Sequence, residues 1–385
     1  MRGPLSLSRS LPLSLVGLSW LLTSGCGENS PLSAGVGDSD PNGASAMADL
    51  NAELQEAARA RASDPAWKPS EKQIAVIQVA TGEGGSLNNF CLDDEGRVLA
   101  CVGKVAGEGP AAKEGAIEVL GSDGARVTTW AVGGNPQAIC RAPDGTYLIG
   151  GGGQLLRVDK TGQVLQRGKT PVAETPLPPD ADLKELAQRF GDGPLEARMD
   201  RLKELLRKRR SDVTGIAAMG EDVFVAVPSP KDFTYVVYRV DREFADAKLV
   251  VEKLSGCCSQ MDIHARDGKL WVANNGRHRV QVHDREGKLL TSIGRQDRKA
   301  ADGFGGCCEP KNLRLLGNGE ILTAESGPPV AIKRFAADGK FLGVLALPEY
   351  STDCVRSTVE VSPDGARHYI LNPEGRSIHV FAAKP

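Results

Sequence analysis

Short apolar runs of four to six residues alternate with polar, glycine-containing turns over most of the chain. Residues 268–293 show the pattern most clearly. Gly268-Lys-Leu-Trp-Val-Ala-Asn leads into Asn275-Gly276-Arg277, then Arg279-Val-Gln-Val-His-Asp, the turn Glu286-Gly287, and Lys288-Leu-Leu-Thr-Ser-Ile. Alternation of period two bounded by X-Gly turns predicts antiparallel strands joined by hairpins. The unit recurs. Its first turn falls at Glu95-Gly96, Asp144-Gly145, Gly220-Glu221, Asp267-Gly268, Asn318-Gly319 and Asp364-Gly365, with glycine-to-glycine spacings of 49, 75, 48, 51 and 46. A second turn recurs at Asp123-Gly124, Thr161-Gly162, Glu286-Gly287 and Asp338-Gly339. Six units of about four strands each predict an all-β fold, a six-bladed β-propeller spanning residues 73–385.

The ends of the repeat predict how the ring closes. The sixth unit stops at its third strand, Ser377 to Phe381, and an orphan strand, Gln73 to Val79, precedes the first unit. Pairing the orphan with the last blade as its outer strand completes that blade and covers an open edge. The long spacing of 75 places an insertion at about residues 170–212. There, 182–190 and 194–206 carry apolar residues at helical spacing, so two helices are expected on one rim. The cations Lys203, Arg207, Lys208, Arg209 and Arg210 crowd the end of the second. They suit either a contact with anionic lipid or a partner, or a solvated helix terminus, where cations are favoured.

Ahead of the repeat, Arg2 and Arg9 flank the start of a short apolar stretch, Leu11 to Leu22, followed by Thr23-Ser24-Gly25-Cys26. This is the layout of an export signal over residues 1–26. Small residues directly before a cysteine resemble the bacterial lipobox, with Thr23 standing where leucine is usual. The resemblance implies that Cys26 is lipidated and that the chain is held in the bacterial envelope by its lipid, facing the periplasm or the exterior. Residues 27–72 read as a flexible tether, poor in large apolar side chains up to 45, followed by a short amphipathic helix over 46–63.

Charge narrows the partners. Lys and Arg number 47 against 49 Asp and Glu, a formal net charge of −2, and aromatic residues are 5%. A nucleic-acid partner is therefore not expected, because that class needs a basic face or a stacking platform. A protein or small-molecule ligand at the propeller face fits better. The 268–294 unit resembles the NHL repeat, and Asp338-Gly-Lys-Phe-Leu-Gly-Val344 repeats its second half. The resemblance implies an envelope-anchored binding scaffold. The alternative it leaves open is a metal-dependent lyase, or a lactonase-like propeller enzyme, acting at the same mouth. No nucleophile elbow, phosphate loop or metalloprotease helix motif occurs in the sequence.

The cysteines carry the most specific pattern. Cys257, Cys308 and Cys354 each lie eleven residues before a first-turn glycine, and Cys258 and Cys307 are their neighbours. Equal offsets place these five thiols on one channel mouth of three consecutive blades. They could form disulfides that stiffen the mouth, bind a soft metal such as copper or zinc, or act as redox thiols. Cys91 and Cys140 share a different offset, five before the glycine, and belong on adjacent inner strands. The position eight before the glycine gives Asn88, Gln137, Gln260, Lys311 and Ser357, with Asn89, Asp262 and Asn312 close by. These read as channel-lining amides and charges. They could surround water, a polar ligand or, as a further option, a hard cation. His264 belongs to an inner strand and Glu309 to the mouth. His278 and His283 read as surface residues.

Overall fold

The computed structural model describes residues 41–103, 115–188, 193–256, 260–327, 329–350 and 355–384. Strand β1 (Glu71–Gln78) precedes a regular series. Blade 1 holds β2 (Leu87–Leu92), β3 (Val98–Val102), β4 (Ala116–Leu120) and β5 (Arg126–Trp130). Blade 2 holds β6 (Ala138–Arg141), β7 (Tyr147–Gly151), β8 (Gln154–Val158) and β9 (Val164–Lys169). Blade 3 holds β10 (Gly215–Met219), β11 (Asp222–Pro228), β12 (Tyr235–Val240) and β13 (Lys248–Leu254). Blade 4 holds β14 (Ile263–Arg266), β15 (Lys269–Asn274), β16 (Arg279–Asp284) and β17 (Leu289–Ile293). Blade 5 holds β18 (Asn312–Leu315), β19 (Ile321–Glu325), β20 (Ala331–Phe335) and β21 (Phe341–Ala346). Blade 6 is β22 (Val359–Val361), β23 (Arg367–Asn372), β24 (Ser377–Ala383) and, outermost, β1. The chain is a six-bladed β-propeller.

The ring closes as its ends predict. β1 runs antiparallel to β24 from Glu71 opposite Ala383 to Gln78 opposite Ser377. Apolar clusters fill all six gaps between neighbouring blades. Blade 6 meets blade 1 through Tyr369 and Ile378 against Phe90 and Val98. Blade 1 meets blade 2 through Leu99 and Ile117 against Ile139 and Tyr147, with the Trp130 and Tyr147 rings 5.5 Å apart. The same logic continues around the ring. Each such aliphatic side chain taken from water contributes about 1.5–3 kcal/mol. Inner strands are therefore buried almost throughout, whereas the outer β9 alternates and β5 is mostly exposed. The first-turn glycines take a positive φ, for example 84° at Gly145, which L side chains rarely adopt. At Gly287 a Cβ would sit 1.8 Å from the Val250 carbonyl oxygen of the neighbouring blade, so only glycine fits.

Three helices sit outside the blades. α1 (Pro41–Ser63) begins five residues before the expected helix, inside the stretch read as tether. Arg61 Nη1 donates to the Arg298 carbonyl at 2.7 Å, and Trp67 Nε1 to that of Lys299 at 2.9 Å. Glu53 and Glu56 pair with Arg298 and Lys299 at 3.0 and 2.7 Å. These polar contacts with the loop before blade 5, together with Trp67 buried against Ala301, Ala331 and Val344, dock the end of the segment. α2 (Asp180–Gln188) and α3 (Leu195–Arg209) form the insertion, burying Leu183, Ala187, Leu202 and Leu206. Among the described residues no helix is long and apolar enough to cross a membrane. The export signal, Cys26 and the tether up to residue 40 lie outside the described residues.

Candidate functional site

The six inner strands surround the channel, and their residues form tiers. Alternation along a strand puts every second side chain on the same face. Asn89 and Cys91, Asp262 and His264, Asn312 and Arg314, and Thr358 and Glu360 thus occupy corresponding faces in blades 1, 4, 5 and 6.

The upper tier is a collar of hydrogen bonds between blades. Thr358 donates to Asn89 Oδ1 at 2.9 Å, joining blades 6 and 1. Asp262 Oδ2 accepts from Asn312 Nδ2 at 2.7 Å and from the Leu313 amide at 3.0 Å, joining blades 4 and 5. Asn312 Oδ1 accepts from the Val359 amide at 3.0 Å, joining blades 5 and 6. Asn88 Nδ2 donates to Asn135 Oδ1 and to the Pro136 carbonyl, linking blade 1 to blade 2. Gln137 donates to Asp212 at 2.8 Å and accepts from the Val213 amide at 3.0 Å, linking blade 2 to blade 3.

Two further links, of three hydrogen bonds in all, join blades that are not neighbours. Gln260 Nε2 donates to the Ser357 carbonyl at 2.7 Å and its Oε1 accepts from the Ser357 amide at 3.1 Å. Arg356 Nη1 donates to the Gln137 carbonyl at 3.3 Å. These straps run between blades 4 and 6 and between blades 6 and 2, closing part of the opening. The residues read as channel lining are thus gathered at one level, but as inter-blade ties. Lys311 and Asn312 are fully out of solvent, at 0% and 1% exposure. Burial raises Asp262 to about 6, against the pull of Arg314.

The lower tier holds Cys91, Cys140, His264, Arg314 and Glu360. Arg314 and Glu360 form a largely buried ion pair across blades 5 and 6. Burial raises Glu360. For Arg314 burial acts downward, and the carboxylates of Glu360 and Asp262 outweigh it and hold the guanidinium charged. Burial lowers His264 to about 3, with Arg314 and Arg266 adding to the effect, so the ring is neutral, and its Nδ1 has no hydrogen-bond partner among the described residues. Cys91, Cys101 and Cys140 are free thiols. Burial raises Cys140 to about 12 and Cys91 well above the ordinary range, so neither is a thiolate at neutral pH. The sequence signal for this tier is the offset of five from the turn glycine. It finds Arg314 and Glu360 as readily as Cys91 and Cys140, and His264 is displaced by one because its turn is shorter.

Of the five mouth cysteines, two lie among the described residues. Cys257, Cys258 and Cys354 lie outside the described residues. Their flanks meet in the Gln260–Ser357 strap. Cys307 and Cys308 are not free thiols but bonded sulfurs, and Cys308 is buried. Beside them, Glu309 Oε1 accepts from the Ser326 and Gly327 amides at 2.9 and 2.8 Å, while its Oε2 has no hydrogen-bond partner among the described residues. Burial raises Glu309 to about 7, opposed by Lys311 and assisted by Glu325. Among the described residues no group of three or more His, Cys, Asp or Glu side chains could hold a metal ion.

The insertion helices cap the same rim. Arg209 packs its guanidinium 5.2 and 5.3 Å from the Phe233 and Tyr235 ring centres, at the top of blade 3. Arg209 is thus packed, whereas Arg207 and Lys208 at the same helix end are exposed. His278 and His283, expected at the surface, are buried, because the β15–β16 turn folds inward at Asn275 and β16 is a covered third strand.

No known protein family matches the chain, and no curated protein is similar to it in sequence. Solved structures are similar in shape. A protein of unknown function from Bacteroides caccae is 15% identical with a TM-score of 0.46, covering 72% of this chain and 87% of that one. The WD40 domain of Neurospora crassa Pan2 is 9% identical with a TM-score of 0.46, covering 83% and 98%.

Proposed function

We propose that this propeller is a binding scaffold of the bacterial envelope, lipid-anchored through Cys26, with its interaction face at the cysteine-bearing mouth. The observation that carries the reading is the pair of straps, Gln260–Ser357 and Arg356–Gln137. They tie part of the channel opening into a floor, beside which the insertion helices stand. A preorganised surface suits recognition, because little conformational entropy is lost when a partner docks. The NHL resemblance and the export signal support the same reading. In an oxidising compartment the five mouth cysteines act as staples. Five sulfurs can make at most two disulfides, so one thiol is left over. Exported protein, unfolded without reductant, should then titrate four thiols: Cys91, Cys101, Cys140 and the remaining one. Eight titrating thiols, or stoichiometric copper or zinc that holds them, would reject the staple in favour of reduced or metal-bound cysteines. Cys26→Ser should release the protein from membranes, and persistent membrane association rejects the anchor.

A second reading, a lyase or lactonase-like enzyme, rests on Glu309. Its Oε2, without a hydrogen-bond partner among the described residues, and a pKa raised by burial to about 7 suit a general base. Lactone or amidated-precursor turnover that chelator and Glu309→Gln both abolish would favour it over the scaffold.

A further inference from the structure

A groove of about 370 Å³ lies on the rim between blades 3 and 4, lined by the last residues of β13 and by the turn and strands β15–β16. Lys253, Arg277 and Arg279 line it, all exposed, and none makes an ion pair among the described residues. The contrast with nearby side chains is sharp. Arg239, Lys248 and Arg285, on the same two blades, all engage Asp222 or Glu286. Glu252 is the groove's carboxylate and is within ion-pair distance of none of the three cations. The next residues after Gly256, Cys257-Cys258-Ser259, bring no charge. Three cations against one carboxylate leave the groove positive in a chain whose net charge is −2.

A second, independent feature lies in the same wall. His283 is 5% exposed, and its Nδ1 is 3.0 Å from the Gly287 carbonyl. A carbonyl only accepts, so Nδ1 carries the proton and Nε2 is left as an acceptor. Nε2 has no hydrogen-bond partner among the described residues, a costly state for a buried polar atom. Asn274 and Gln281, which bond each other at 2.9 Å, complete a polar lining. Lys253 also holds a left-handed φ of 57°, a conformation that non-glycine residues rarely keep.

We propose that this groove binds a small anionic, hydroxylated ligand. Its phosphate or carboxylate is held by Arg277, Arg279 and Lys253, and a hydroxyl donates to His283 Nε2. Guanidinium groups suit either anion because their paired N–H donors match two oxygens. The inference does not depend on the cysteine mouth or on the lipid anchor.

Calorimetric titration with glucose 6-phosphate, glucuronate and neutral glucose tests it, using the full chain. Binding of either anion, at least tenfold weaker in Arg277→Gln/Arg279→Gln and unchanged in the remote Arg126→Gln, supports the site. Preference for one anion tells phosphate from carboxylate. His283→Phe should weaken binding severalfold while leaving the melting temperature of the ligand-free protein near wild type. Absence of binding by both anions overturns the proposal. So does equal binding of glucose, or a loss in Arg126→Gln as large as in the groove variant, which would mean diffuse charge only.

Discussion

The two halves of the ring use one backbone plan for opposite chemistry. Facing the next blade, the inner strands of blades 1 and 2 present Cys91 and Cys140, small thiols kept neutral by burial. The corresponding positions of blades 4 to 6 hold His264, Arg314 and Glu360. At this level the thiols join the apolar clusters, whereas Arg314 and Glu360 pair as ions, although apolar clusters and hydrogen-bonded ties run right around the ring. Repeat geometry therefore fixes where a side chain stands but leaves its chemistry open. The charged half depends more on each partner, because a buried group left alone is penalised far beyond the worth of its bond.

The largest test removes the cation. Arg314→Met leaves Glu360 and Asp262 buried without their guanidinium and should cost about 3–5 kcal/mol in denaturant unfolding. Adding Glu360→Leu should recover much of that loss; no recovery would mean that the pair is not the unit. Next, Asn312→Leu deletes ties to both blade 4 and blade 6 and should cost about 2–3 kcal/mol. Asp262 titrates near 6, above the usual carboxylate value of about 3.9. The folded state therefore binds its proton more tightly, and this contribution to stability is lost as pH rises from about 4 to about 6. Relative to wild type, Asp262→Asn should gain about 2 kcal/mol over that window. A flat difference between the two would show that Asp262 ionises normally. Smallest is the thiol half: Cys140→Ala should cost about 1 kcal/mol, and native Cys91 and Cys140 should not react with a thiol reagent until the protein unfolds.

How far these features could be read from the sequence follows the same divide. The turn glycines from Gly96 to Gly365 are local signals, so blade number, insertion and closure by β1 were all legible. Position was legible too: the equal offsets of Asn88, Gln137, Gln260 and Lys311 correspond to one level of the ring. Partnership was not. That Gln260 reaches Ser357 in a non-neighbouring blade depends on side-chain reach across the channel, which no spacing encodes. The burial of His283 escapes the sequence for a similar reason, since its side chain lies in a groove shared with β13 of the neighbouring blade. The start of α1 escaped because its first residues, Pro41-Asn-Gly-Ala-Ser45, carry no large apolar side chain from which a helical period could be read.

The closure of the ring by β1 also sets an order of events in biosynthesis. Strand β1 is made first among the strands, yet its partner β24 begins at Ser377. At roughly 5–20 residues per second, synthesis of the intervening chain takes about 15–60 seconds. Through that interval the edge of β1 has no partner, and Ile74 and Val76, exposed even in the finished blade, stand beside an open backbone. The first blade cannot bury Phe90 and Val98 against Tyr369 and Ile378 until the last blade exists. The propeller is thus completed from its tail, and β1 is the strand that waits longest for its partner.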